Sequence, residues 1–170
     1  MEMNLVYLSL GSNLGAKLQI LKSAIKEISE QIGTIDKCSH VYESEAIGFQ
    51  ADETFYNLCI QVSTPMSADE VLRKALKIEE LFGRERISKG YASRTLDIDL
   101  IYYNDTIIHS DELILPHPRM QERLFVLLPL NDLNDNKLHP ILRKNTQELI
   151  DNLTNQDRPV IIANQEQIEY

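Results

Sequence analysis

The sequence predicts an α+β domain in which two helices lie on one face of an antiparallel sheet. Three observations carry this. Segments alternating at period 2 and segments at helical period follow in the order strand–helix–strand, strand–helix–strand. Hydrophobic residues make up 43% and charged residues 25%, the balance of a globular chain rather than a disordered one. A length of 170 residues suits one ordinary domain with a core of its own.

The elements follow in order. Asn4 to Leu10 alternates, with Val6, Leu8 and Leu10 facing one way and Leu5, Tyr7 and Ser9 the other, as in a strand. Gly11-Ser12-Asn13 is a turn, with Asn13 a suitable helix N-cap. Leu14, Leu18, Leu21, Ile25, Ile28 and Ile32 then mark one face of a helix, which Gly33 stops. Ile35 to Glu43 is a second strand, Ser44 to Thr54 a loop, and Phe55 to Ser63 a third strand ended by Pro65. Ser67 and Glu70 have capping-box spacing for a second helix lined by Val71, Ala75, Ile78 and Phe82 and ended by Gly83. Arg84 to Ser93 is another loop, and Leu96 to Tyr103 a fourth strand. Thr106 to Ile108 is a short fifth strand, joined to it through an Asn104-Asp105 turn. Pro116 and Pro118 keep Leu115 to Arg119 extended. Helices over Gln121 to Leu127 and Thr146 to Leu153 and an edge strand over Pro159 to Ala163 complete the chain.

This order is the split βαβ, or ferredoxin-like, arrangement, with C-terminal additions. The apolar set of each strand faces the helices, leaving Ser9, Asn57, Cys59, Gln61, Asp97 and Asp99 on the other sheet face. A face lined with polar groups is a candidate site. No boundary divides the chain, so residues 1–170 are expected to form one domain, with 163–170 a loose tail.

Net charge is −9, which argues against nucleic-acid or anionic-membrane partners. The longest apolar run, Leu124 to Leu128, is far short of a membrane span. The N-terminus shows no signal-peptide pattern, and two cysteines make no disulfide framework; a cytoplasmic protein with reduced thiols is expected. Against this acidic background, Arg84, Arg86, Arg94, Arg119 and Arg123 are five of the eight arginines. Arginine presents a fork of donors suited to phosphate oxygens, though surface arginines balancing nearby acids give the same count.

The sharpest local feature is Arg94-Thr95-Leu96-Asp97-Ile98-Asp99-Leu100. Aspartate is poor strand material, and at period 2 Asp97 and Asp99 point to the same face, their Cα atoms about 7 Å apart. Such a pair suits a hard cation such as Mg²⁺. The alternative is two solvent-facing acids neutralised by arginines. His117, between two prolines and near Arg119 and Arg123, is placed to donate to a phosphate or is an ordinary packed histidine. Gly11 to Gly15 is a tight turn or an anion cradle. There is no Walker A sequence, and Cys38 and Cys59 read as packing residues.

Taken together, the chain resembles the 6-hydroxymethyl-7,8-dihydropterin pyrophosphokinases of folate synthesis. The matching segments run in order: Leu10-Gly11-Ser12-Asn13-Leu14; Phe55-Tyr56-Asn57; Ile78-Glu79 with Gly83-Arg84 and Arg86; Ser93-Arg94-Thr95-Leu96-Asp97-Ile98-Asp99-Leu100; and Leu115-Pro116-His117-Pro118-Arg119-Met120 with Arg123 and Phe125. They cover residues 4 to 130, and the RTLDIDL and LPHPRM segments at this spacing are highly specific.

The resemblance implies transfer of the β,γ-pyrophosphoryl group of ATP to the pterin hydroxymethyl oxygen, with AMP leaving. It implies that Asp97 and Asp99 hold two Mg²⁺ ions, one bridging the α and β phosphates and the other the β and γ. Arg84 and Arg94 join the aspartates as the catalytic set. Glu79, Arg84, Arg94, Ile98, His117 and Arg123 serve ATP. The pterin lies between Phe55 and Phe125, its polar edge read by Asn57, with Ser44, Ile47 and Tyr91 contributing from the loops. Gly90-Tyr91-Ala92-Ser93 stands where Trp-Gly-Pro is frequent, and Ser44-Glu45-Ala46 where Thr-Pro-Pro is common. Both loops are therefore expected to move freely until substrates arrive. A monomer, or at most a weak dimer, is expected. The rival readings are a ligand-sensing module that binds a metal nucleotide without turnover and a folate-pathway fragment or partner.

Overall fold

A computed structural model of the protein describes residues 1–45, 54–83, 95–133, 136–154, 158–164 and 168. Strands β1 (Asn4–Ser12), β2 (Thr34–Cys38), β3 (Val41–Ser44), β4 (Phe55–Thr64), β5 (Asp97–Tyr103) and β8 (Val160–Ala163) form one sheet in the order β5-β1-β4-β3-β8, with β2 also on β4. Every pairing is antiparallel. Helices α1 (Lys17–Gln31) and α2 (Ala68–Leu81) cover one face, as the ferredoxin-like reading expects.

That face is a continuous apolar layer. Val6, Leu8 and Leu10 of β1, Leu58, Ile60 and Val62 of β4, and Ile98 and Leu100 of β5 pack against Leu21, Ile25 and Ile28 of α1 and Val71 and Ile78 of α2. The capping box at Ser67 and Glu70 forms as its spacing predicts and fixes the start of α2. Of the expected loose tail, Ala163 and Ile168 are buried in this same core.

The opposite face is not open throughout. Helices α3 (Leu124–Asp132) and α4 (Thr146–Asp151) build a second core on it, where Met120, Leu127, Leu130 and Leu149 meet Tyr7, Cys59, Ile101 and Tyr102. A bulge makes this possible. Tyr7 pairs with Tyr102 but Leu8 with Leu100, so β5 carries one extra residue, Ile101. Ile101 and Tyr102 both join the second core, while Asp97 and Asp99 stay in phase upstream. Ser9, Cys59 and Gln61 lie on the expected face, but buried.

Four local expectations need correction. The second strand is two, because the chain steps at Ser39-His40; there the Ser39 hydroxyl accepts the Cys59 N–H and replaces a ladder acceptor. Asn13 is not the cap of α1: Gly15, at φ +69°, turns the chain first, and the helix starts after Ala16 without a side-chain cap. The fifth strand does not pair with the fourth. Residues β6 (Ile108–His109) and β7 (Ile114–Leu115) instead make a small separate hairpin. The helix expected over Gln121 to Leu127 is a 3-10 turn, Met120–Glu122, followed by α3, which continues through Pro129 to Asp132.

Candidate active site

The site is built on the cross-strand rows of β5, β1 and β4. Asp97 pairs with Gly11 and Gly11 with Asn57; Asp99 pairs with Ser9 and Ser9 with Cys59. With strands about 4.8 Å apart, the Asp97 and Asn57 chains stand about 10 Å from each other across a residue with no side chain. A Cβ on Gly11 would lie 3.0 Å from Asn57 Oδ1 and 3.9 Å from Phe55 Cδ1. The glycine is thus a flat floor, with the Phe55 ring and the Asn57 amide on one side and the two carboxylates on the other. Asn57 is only 4% exposed, and its Nδ2 donates to Ser44 Oγ at 2.8 Å, which fixes the amide plane.

The opposite wall comes from the chain leading into α3. His117 N–H donates to Ile101 O at 3.0 Å, which pins the histidine to β5 beyond the aspartates. Its Nδ1 accepts from Arg119 N–H at 3.1 Å, so the neutral ring carries its proton on Nε2. Burial, then the nearby Arg123 and Arg119 charges, push the imidazole down to about 4 against the opposing pull of Asp97. The ring is neutral at physiological pH and presents an N–H donor. Arg123 stands just before α3, its guanidinium 5.6 Å from the Phe125 ring centroid. Helix α3 is held over the sheet at both ends. Cys59 Sγ contacts Val126 O at 3.6 Å, and Asp132 accepts from the Tyr42 hydroxyl and from His40 N–H. Burial pushes the Cys59 thiol up, so it is a packing group, as is Cys38, pushed up to about 12.

Two residues that the resemblance assigns to the nucleotide have side chains off this face. Ile98 turns its side chain into the helix-side core, away from the aspartates that flank it. Glu79 is 1% exposed on α2 and accepts Ile98 N–H at 3.1 Å. The structure therefore brings together Ser44, Phe55, Asn57, Asp97, Asp99, His117, Arg123 and Phe125 around one sheet face. Ile47, Arg84, Arg86, Tyr91 and Arg94 lie outside the described residues. Gly11 is a position of this face that the sequence reading takes as part of a turn. Its signal is phase, because it continues the Tyr7-Ser9 alternation onto the polar face.

The donor set fits magnesium. Two carboxylates at alternate positions of one strand offer hard oxygen ligands, and the described residues hold no group of three or more His, Cys, Asp or Glu able to cage an ion. A cation that keeps water and phosphate oxygens in its shell matches such a half-built site.

Residues 7–135 match the family described as 7,8-dihydro-6-hydroxymethylpterin-pyrophosphokinase (HPPK). The chain belongs to this family. It is 38% identical over 143 residues to a 2-amino-4-hydroxy-6-hydroxymethyldihydropteridine pyrophosphokinase of Aquifex aeolicus, covering 84% of this chain and 88% of the relative. It is 41% identical over 152 residues to the folic acid synthesis protein FOL1 of Dictyostelium discoideum, covering 89% of this chain but 23% of that longer protein. The match to the Pneumocystis carinii folic acid synthesis protein likewise spans 21% of the relative. Among solved structures, a Plasmodium falciparum HPPK-DHPS superposes with a TM-score of 0.72 at 18% identity, covering 88% of this chain and 44% of that one. That similarity supports the fold. Within the pyrophosphokinase family fold, the described site residues of this chain converge on the face opposite α1 and α2.

Proposed function

We propose that this chain transfers the β,γ-pyrophosphoryl group of ATP to the hydroxymethyl group of 6-hydroxymethyl-7,8-dihydropterin, in folate synthesis. The observation that carries the reading is the Asp97–Gly11–Asn57 row. It sets a pair of carboxylates and an oriented amide on either side of a flat floor, with Phe55 beside the amide. The substrate hydroxyl oxygen attacks the β phosphorus in line. The bond from that phosphorus to the oxygen it shares with the α phosphorus breaks, and AMP leaves with the shared oxygen. The hydroxyl proton goes to solvent.

Each residue has a part in this. Phe55 and Phe125 stack on the two faces of the pterin, and Asn57 reads its polar edge with one donor and one acceptor. His117 donates from Nε2 to a phosphate oxygen without adding a charge, and Arg123 adds a charged donor beside it. Arg84 and Arg94 complete the phosphate clamp. Asp97 and Asp99 would hold Mg²⁺, two ions by the resemblance; bound there, the metal supplies neutralisation of polyphosphate charge. Positioning and charge neutralisation carry such a reaction, so no covalent intermediate is required.

The test is an assay with ATP, Mg²⁺ and 6-hydroxymethyl-7,8-dihydropterin, scoring nucleotide products. AMP formed in step with the pterin diphosphate is expected. ADP as the product would mean ordinary phosphoryl transfer and would overturn the proposal.

A further inference from the structure

We propose that Tyr42 is a positioning residue that sets the distance between the two walls of the pterin slot. The inference rests on the pterin reading of Phe55, Asn57 and Phe125 and adds a residue that acts through them. Strand β3 lies beside β4, with Tyr42 paired to Asn57 and Ser44 to Phe55. At period 2, Tyr42 and Ser44 share the sheet face that carries Asn57 and Phe55. Each makes a directional bond there. Ser44 Oγ accepts from Asn57 Nδ2 at 2.8 Å and holds the amide wall. The Tyr42 hydroxyl donates to the Asp132 carboxylate, 3.0 Å and 2.9 Å from its two oxygens, and holds the end of α3. Alternate residues of one short strand, about 7 Å apart, thus fasten both the wall on β4 and the helix that carries Phe125.

The build of α3 leaves its placement to such bonds. Its start has no side-chain cap, and Pro129 lies inside it, so the ladder bond that residue 129 would give to the Phe125 carbonyl is missing. It meets the sheet through Leu124, Leu127 and Leu130, and apolar packing is non-directional, whereas a hydrogen bond is specific in distance and angle. Near Phe125 the polar contact is a weak one, the Cys59 thiol at 3.6 Å from Val126 O. The stronger bonds collect at the other end. Lys37 Nζ donates to Leu133 O at 2.9 Å and His40 N–H to Asp132 Oδ2 at 3.2 Å, beside the Tyr42 hydroxyl. A helix moves along its axis as one body, so fixing Asp132 places Phe125, about 10 Å away at 1.5 Å per residue. The choice of residue argues that this bond matters. Asp132 ends α3, where carbonyls already present negative charge, and burial pushes its carboxyl up. A carboxyl group is disfavoured there on both counts, and what it supplies is an acceptor aimed at β3.

The experiment is a double-mutant cycle on pterin binding, measured by calorimetry with 6-hydroxymethyl-7,8-dihydropterin in the presence of α,β-methylene-ATP and Mg²⁺. Tyr42→Phe removes only the hydroxyl, and Phe125→Ala removes the ring that the hydroxyl places through α3. We expect Tyr42→Phe to raise the pterin Kd about fivefold in the parent but less than about twofold in the Phe125→Ala background, where no ring is left to misplace. Asp132→Leu should reproduce the loss, and Asp132→Asn, which keeps a carbonyl acceptor, should recover most of it. A parent-like Kd in Tyr42→Phe overturns the proposal. So does an equal loss in both backgrounds, which would mean a general loosening of the fold, and so does a loss in Asp132→Asn as large as in Asp132→Leu. If Tyr42→Phe fails to fold, the two Asp132 variants in both backgrounds decide by the same criteria. A Phe125→Ala chain that binds the pterin as tightly as the parent would instead overturn the pterin reading of the slot, and this inference with it, so the two failures are distinguishable.

Discussion

Replacing Gly11 with alanine should weaken pterin binding while leaving the fold and the nucleotide site intact. The added Cβ would stand 3.0 Å from Asn57 Oδ1, where ordinary contact begins at 3.4 Å, so the amide must give by about 0.4 Å. It is held by its 2.8 Å bond to Ser44 Oγ and is almost fully buried, so the shift strains or breaks that bond. A hydrogen bond of this kind contributes about 0.5–1.5 kcal/mol net. The same substitution stiffens the unfolded chain, worth about 0.4–1 kcal/mol where the backbone angle suits alanine, and Gly11 is not among the glycines at positive φ. The two effects nearly cancel in stability, and the melting temperature should move by no more than about 4 °C. They do not cancel in binding. The pterin meets a displaced amide and a raised floor, a loss of about 1–2 kcal/mol, or about 5- to 30-fold in Kd. The nearest atoms to the new Cβ belong to Asn57, Phe55 and Tyr56, none of them on β5, so Mg²⁺-dependent nucleotide binding should stay within twofold. Calorimetric titration with pterin in the presence of α,β-methylene-ATP and Mg²⁺, beside a thermal melt, measures both. An unchanged pterin Kd, or an equal loss of nucleotide affinity, would refute the placement of the pterin over this glycine.

Asp97→Ala and Asp99→Ala should each melt within a few degrees of the parent and lose turnover by more than about a thousandfold, since no neighbouring residue replaces an anionic metal ligand. Turnover within a few-fold of the parent would remove the metal assignment. Phe125→Ala should weaken pterin binding by about 0.5–1.5 kcal/mol of ring interaction plus its burial contribution, with ATP binding nearly unchanged by calorimetry. His117 should shape the acid stability. Its ring titrates near 4 in the fold against 6.5 ordinarily, so between those values the unfolded chain binds a proton that the folded one refuses. Stability is therefore full above about pH 6.5, falls as pH drops towards 4, and gains no further slope from this group below that. Urea unfolding from pH 4 to 7 should show a shallower slope in His117→Gln than in the parent; identical slopes would contradict the buried neutral ring.

The residues themselves determined much of this protein. Alternation in Asn4 to Leu10 and Phe55 to Ser63, helical spacing from Leu14 to Ile32, and the Ser67–Glu70 cap specify the βαββαβ order, because each is a local periodicity that only one backbone conformation can bury. Period 2 likewise put Asp97 and Asp99 on one face. The tertiary structure decided what periodicity cannot reach. Whether a polar sheet face is open depends on which later helices return to it, and α3 and α4 cover the Tyr7, Cys59 and Tyr102 end through contacts distant in sequence. The Ile101 bulge shifts side-chain phase within one strand, which depends on the register against β1. Glu79 enters the sequence reading only through the family resemblance, as a residue of the nucleotide side. Its partner, the Ile98 amide 19 residues later, is set by where α2 lands beside an edge strand. Gly11 reads as a turn residue, and it is a floor because Asn57 and Asp97 are paired on either side of it. Local sequence fixes conformation and facing, whereas the distances between functional groups follow from strand register and helix docking, which depend on the whole chain at once.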